Sequence, residues 1–188
     1  MKRSVIRIQN NSPVVLGFAI ACFVVLALDS FTGGYTTIRF FSVYRSPASD
    51  IFTYPRFVLH VLGHSDYAHF IGNIMMILAI GPGLEERYGG KNLLFAMLMT
   101  ALVSGMIQWL FFEDSILLGA SGILLMLIVM SSVAGMKSGC IPITLILVLL
   151  LHVGGEIVDA VTVKDNVSQM AHIVGGLCGA VLGTAMRK

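Results

Sequence analysis

Residues 116–136 read ILLGASGILLMLIVMSSVAGM. The run is apolar enough to cross a bilayer, but Gly119-Ala120-Ser121-Gly122 falls inside it. Glycines flanking a serine are poor helix material. A helix that starts near Ser121 and ends near Met136 has about 16 residues and a length of roughly 24 Å. That is short of the roughly 30 Å hydrocarbon core. The reading therefore places Ser121 below the membrane surface, with irregular backbone leading to it. Such backbone is tolerated at depth only where other protein covers it or water reaches it. A water-filled cavity beside Ser121 is implied.

Working outward, the rest of the chain has the composition that such a helix needs around it. Of the 188 residues 56% are hydrophobic and 12% charged, with a mean hydropathy of +0.88. A soluble domain carries about 25% charged residues, so lipid is the expected solvent. The net charge of +2 is too small to suggest nucleic acid. Six apolar segments are predicted, at about 13–31, 68–83, 92–112, 119–135, 141–163 and 167–186, giving an all-α polytopic bundle in a single domain over 1–188. Gly81-Pro82-Gly83 is expected to end the second segment. The stretch 32–50 is polar, and 51–62 is short and amphipathic at best. Cys22, Cys140 and Cys178 form no CxxC and are read as small apolar packing residues. Lys2, Arg3 and Arg7 before an apolar run have the layout of a signal peptide, but no small-x-small site closes it, so the run is read as the first anchor. Basic residues set the orientation. With both termini cytoplasmic, that side holds Lys2, Arg3, Arg7, Arg87, Lys91, Lys137, Arg187 and Lys188, and the other holds Arg39, Arg45, Arg56 and Lys164. The excess favours cytoplasmic termini and turns the Ser121 end of the fourth segment outward.

Ionisable residues within spanning segments are functional suspects. Here they are His69, His152, Glu156, Asp159 and His172, with His64 just outside. Ser121 at a helix start has free backbone N–H groups beside it, suited to a developing oxyanion, and needs a base to become a nucleophile. Read alone, Gly-Ala-Ser-Gly is more often a small-residue helix contact. His172 precedes Gly175, Gly179 and Gly183, which recur every four residues and make one smooth helix face. If the fourth helix packs there, His172 comes within reach of Ser121; read alone, it is equally a hydrogen-bonded histidine of the bundle interior. His69 and Asn73 share a helix face, and both can donate hydrogen bonds, as an oxyanion requires. A structural polar network is the plain reading. A metal site is disfavoured, because no Cys or carboxylate stands at ligand spacing with His60, His64 and His69. Glu156 and Asp159, three apart, line water or form a structural pair.

The set Arg56-x3-His60-x3-His64-x4-His69-x3-Asn73, then Glu85-x-Arg87-x-Gly89, Ser104-Gly105, Gly119-x-Ser121-Gly122 and Ala171-His172-x2-Gly175-x3-Gly179 resembles the bacterial rhomboid proteases in order, spacing and placement. The resemblance covers about 50–185. It implies an intramembrane serine protease with a Ser121–His172 dyad and no third acidic member. His69, Asn73 and the backbone N–H of Ser121 would form the oxyanion hole. It implies no cofactor, transmembrane-protein substrates cut beside small residues, and a multi-pass protein of the bacterial cytoplasmic membrane. The first loop would lie half-embedded in the outer leaflet, and Glu85 and Arg87 would brace the cytoplasmic end. Two departures stand out. Leu125 sits where the family often has an aromatic residue under the imidazole, and Pro55-Arg56 replaces a Trp-Arg pair. Two other classes fit the composition: a non-catalytic rhomboid-like binder of membrane clients, and a histidine-lined transporter or metal handler.

Overall fold

A computed structural model describes residues 11–136 and 166–186, together with isolated positions at 140, 143, 146, 147 and 150. The predicted fifth segment, with His152, Glu156 and Asp159, lies outside the described residues. The helices are α1 (Pro13–Thr32), α2 (Tyr35–Phe40), α3 (Thr53–Leu59), α4 (Tyr67–Tyr88), α5 (Gly90–Phe111), α6 (Ser121–Gly135) and α7 (Asn166–Ala185), with a 3-10 turn at His60–Leu62. Among the described residues there is no strand. Helices α1, α4 and α5 are each long and apolar enough to cross a membrane, and α6 and the described part of α7 are shorter apolar helices. The protein is an all-α integral membrane bundle.

Helix α6 is the centre. Ile123, Met126, Leu127 and Met130 are fully buried and pack with residues of α1, α4 and α5. A helix apolar on every side belongs inside other helices. Its 15 residues span about 22 Å, so it is shorter than the bilayer core, as its sequence suggests. Helix α7 lies against it along the glycine stripe. A Cβ on Gly175 would stand 2.2 Å from the Gly122 carbonyl oxygen, one on Gly179 2.5 Å from that of Met126, and one on Gly183 3.3 Å from the Met130 side chain. The bare backbone of α7 is what lets the two helices meet, and theirs is the most extensive pairing among the described helices.

Helix α4 does not stop at Gly81-Pro82-Gly83. It continues to Tyr88 with Pro82 inside it. Proline removes one ladder hydrogen bond, but a membrane helix packed against neighbours tolerates that loss. The neighbours here are specific. Val15 of α1 presses on Gly81, where a Cβ would be 2.8 Å away. One turn on, the buried Glu85 carboxylate accepts from the N–H groups of Val14 and Val15 at 3.0 and 2.9 Å. Ser12 makes no side-chain cap, so Glu85 serves as the cap of α1 from another helix. Arg87 donates to the Ala134 carbonyl at the other end of α6. The bracing expected of this pair is thus realised as two helix caps.

The connection between α1 and α4 is more ordered than its polar sequence suggests. Arg56, 1% exposed, donates to the Arg39 carbonyl, the Ser46 hydroxyl and Asp50, and lies 4.6 Å over the Tyr44 ring. The backbone N–H of Phe52, and then Arg56 and Arg39, hold the Asp50 carboxyl below its ordinary range. Trp109 donates to Ser46, and Arg45 to Trp109, which ties the loop to the far end of α5. Gly105 admits the α3 backbone: a Cβ there would be 2.4 Å from the Phe57 oxygen. Of the cysteines, Cys22 is buried as expected, Cys178 is half-buried and Cys140 is exposed, so close packing does not extend to Cys140.

Candidate active site

Ser121 is the first residue of α6. The Ala120 ahead of it has no side chain to cap the helix, and the first bond of the ladder runs from Leu124 N–H to the Ala120 carbonyl. The N–H groups at the start of α6 therefore have no acceptor within the helix, which is the property that suits an oxyanion. The segment leading in is held from the first loop. Val43 and Leu117 exchange both backbone bonds at 2.8 Å, and Gly119 N–H donates to the His60 carbonyl at 3.0 Å.

Gly119 carries a requirement of its own. Its φ is +112°, and a Cβ there would be 2.8 Å from Cε1 and Nε2 of His69. Both the conformation and the contact demand glycine. The His69 ring thus packs directly on the backbone two residues before Ser121.

His69 belongs to the first turn of α4, whose N-cap is Asp66. One carboxylate oxygen of Asp66 accepts from His69 N–H at 2.8 Å, and the other accepts from the Ser65 hydroxyl at 2.9 Å. Those bonds hold the exposed Asp66 carboxyl below its ordinary range, the His69 N–H first. Nδ1 of His69 lies 3.1 Å from the Ser65 oxygen. One turn along, Asn73 is 6% exposed and donates to the His69 carbonyl at 3.0 Å. That uses one of its two amide hydrogens.

His60 and His64 support this arrangement from outside the cavity. Burial pushes both down to about 4, with His69 adding a smaller effect on His64. The His60 ring faces the Arg56 carbonyl and the Ser104 hydroxyl. His64, fully buried, stands edge-on to His69 with ring centres 5.0 Å apart. Among the described residues no three His, Cys, Asp or Glu side chains converge as metal ligands.

His172 arrives on α7. Its position follows from Gly175 on Gly122 and from Ala171, whose carbonyl would be 3.2 Å from a Cβ on Gly122. These contacts pin the turn that carries His172 to the turn that carries Ser121. The result is one open cavity of about 370 Å³, lined by Ala68, His69, Gly72, Asn73, Ser121, Leu124 and His172. All four residues singled out in the sequence line it together. Leu125 is buried and faces α7 one turn past His172, 3.8 Å from the Cβ position of Gly176. Arg56, Glu85 and Arg87 lie away from the cavity. Asp66 and Ser65 were not among the sequence candidates, although an Asp three residues before a histidine at a helix start is a readable N-cap signal.

The membrane bundle thus opens a cavity lined by a serine at a helix start, two histidines and an asparagine. The Rhomboid domain family model matches residues 51–188, and the chain belongs to the rhomboid family.

Proposed function

We propose that this rhomboid is an intramembrane serine endopeptidase, cutting peptide bonds in or near transmembrane segments of other membrane proteins. The observation that supports the reading is the convergence of Ser121, His172, His69 and Asn73 on one cavity. In the proposed reaction His172 takes the Ser121 proton and Ser121 attacks the scissile carbonyl. The oxyanion that forms is held by His69, Asn73 and the free N–H at the start of α6. The leaving amine takes the proton back from His172, and an acyl-enzyme remains. Water entering the open cavity then clears it with His172 again as base. No metal or cofactor takes part in these steps.

The proposal extends to a single membrane domain over 1–188 with six spans, both termini cytoplasmic and the cavity opening outward, in a bacterial inner membrane. Eight of the twelve basic residues then lie on the cytoplasmic side. A reporter fused after Lys188 is expected to behave as cytoplasmic.

The deciding experiment combines fluorophosphonate labelling with cleavage of a reconstituted transmembrane substrate. Wild type should label and cleave. Ser121→Ala and His172→Ala should do neither while remaining folded in detergent, because loss of nucleophile or base costs several orders of magnitude. Proteolysis by purified Ser121→Ala refutes the mechanism. A wild type that neither labels nor cleaves indicates a non-catalytic binder.

A further inference from the structure

We infer that Asp66 and Ser65 form a relay behind His69 that fixes a proton on its Nδ1 and anchors the ring with its Nε2 edge toward the cavity. The inference rests on the proposed role of His69 as an oxyanion donor. It deepens that role by naming two positioning residues and the charge state they require.

Hydrogen-bond valence carries the argument. An ionised carboxylate only accepts, and Asp66 is exposed with its carboxyl held in the ionised form by the His69 N–H. The Ser65 hydroxyl has one hydrogen, and it is directed at the second Asp66 oxygen, 2.9 Å away. What Ser65 has left for Nδ1 of His69, at 3.1 Å, is a lone pair. Nδ1 must then be the donor and carry a proton. A neutral His69 in that tautomer presents a bare lone pair at Nε2, which repels an oxyanion. Only the imidazolium presents N–H there while keeping the bond to Ser65. The relay thus commits His69 to act as a cation, with the Asp66 charge offsetting it through one intervening hydroxyl. Charge-assisted hydrogen bonds are roughly twice as strong as neutral ones.

Partial burial of the ring and the nearby His172 oppose a charge on His69, and the Asp66 carboxylate is the group that favours it. His64 lies edge-on to His69 and is kept neutral by burial, so it adds no opposing charge. Asn73 bonds the His69 carbonyl rather than its ring. The backbone of Gly119 closes against the Cε1 and Nε2 edge of the ring. His172, which lines the same cavity, must be neutral to act as base.

Asp66→Asn provides a sharp test. Asparagine is as good an N-cap as aspartate, so α4 keeps its start. Its amide nitrogen, however, donates where the second carboxylate oxygen accepted. That frees the Ser65 hydrogen to turn to Nδ1 of His69, which reverses the relay. The measurement is nitrogen-15 NMR of histidine-labelled protein in bilayers, with His69 assigned by its loss in His69→Ala. The wild type should show a protonated Nδ1 and Asp66→Asn a bare one. A bare Nδ1 in the wild type, or no change in Asp66→Asn, overturns the relay. In parallel, Ser65→Ala should lower kcat roughly tenfold with KM unchanged, and Ser65→Thr should restore it. The effect is below the 10²–10³ of a direct donor because Ser65 is exposed and screened. Wild-type kcat in Ser65→Ala overturns the catalytic part of the inference. If the wild-type protein neither cleaves nor labels, the protease reading fails, and the NMR result still decides the relay.

Discussion

Gly175→Ala is the smallest change that separates the proposed nucleophile from its base. The new methyl carbon would stand 2.2 Å from the Gly122 carbonyl oxygen, whereas ordinary contact begins near 3.4 Å. That oxygen is backbone in the first turn of α6 and cannot swing away. The helices must therefore part by about 1.2 Å at a point one residue from Ser121 and three from His172. Overpacking of this kind costs about 1–3 kcal/mol. The larger effect is on chemistry, because misplacing reacting groups by about 1 Å can cost around 10²-fold in rate. Gly176→Ala is the internal control: its Cβ meets only Leu125, at 3.8 Å. The assay is kcat on a reconstituted transmembrane substrate and the rate of fluorophosphonate labelling, with thermal unfolding in detergent measured alongside. Gly175→Ala should be folded, slightly destabilised and about 10²-fold slower, with Gly176→Ala near wild type. If Gly175→Ala keeps the wild-type rate, or if the two variants fall equally, the α6–α7 contact does not set the dyad geometry.

Three further outcomes follow from the same geometry. Asn73→Ala and His69→Ala should lower kcat more than they raise KM, by about 10²–10³ for the loss of one donor, while chelators leave the wild type untouched; chelator-sensitive activity would instead indicate a metal site. Acid should destabilise the fold through His60 and His64. Both are pushed from 6.5 to about 4, so the unfolded chain binds protons that the native one refuses, and stability falls between pH 6.5 and 4 and then levels. The drop is about 3 kcal/mol for each at pH 4, read as a lowered unfolding midpoint in detergent, and a flat profile over that range contradicts the burial of the two rings. Glu85→Ala removes the cap that α4 supplies to α1 and should cost about 3 kcal/mol of stability, measured by thermal unfolding; an unchanged midpoint would show that the cap is dispensable.

The features legible in the sequence are those whose cause is local or periodic. Gly119-Ala120-Ser121-Gly122 announces a helix start inside an apolar run, and α6 begins at Ser121. The four-residue glycine spacing of α7 announces a close helix partner, and α6 is that partner. Features set by a distant chain segment were not legible. Pro82 reads as a stop, yet Val15 on Gly81 and the Glu85 cap of α1 carry α4 through it to Tyr88. Arg56 opens the rhomboid-like motif in the sequence, but only the fold gives it the Arg39 carbonyl, Ser46 and Asp50 as partners. Ser65 has no pattern at all, because its bond to His69 depends on the side-chain geometry of both residues. The Leu125 departure belongs to the same account. An aromatic ring in that position would seat the imidazole by stacking, and leucine cannot. Leu125 instead faces the Cβ position of Gly176, and the placement of His172 falls to backbone contact between Gly175 and Gly122 and between Ala171 and Gly122. The glycine stripe thus sets where the turn of α7 that carries His172 sits against the turn of α6 that carries Ser121.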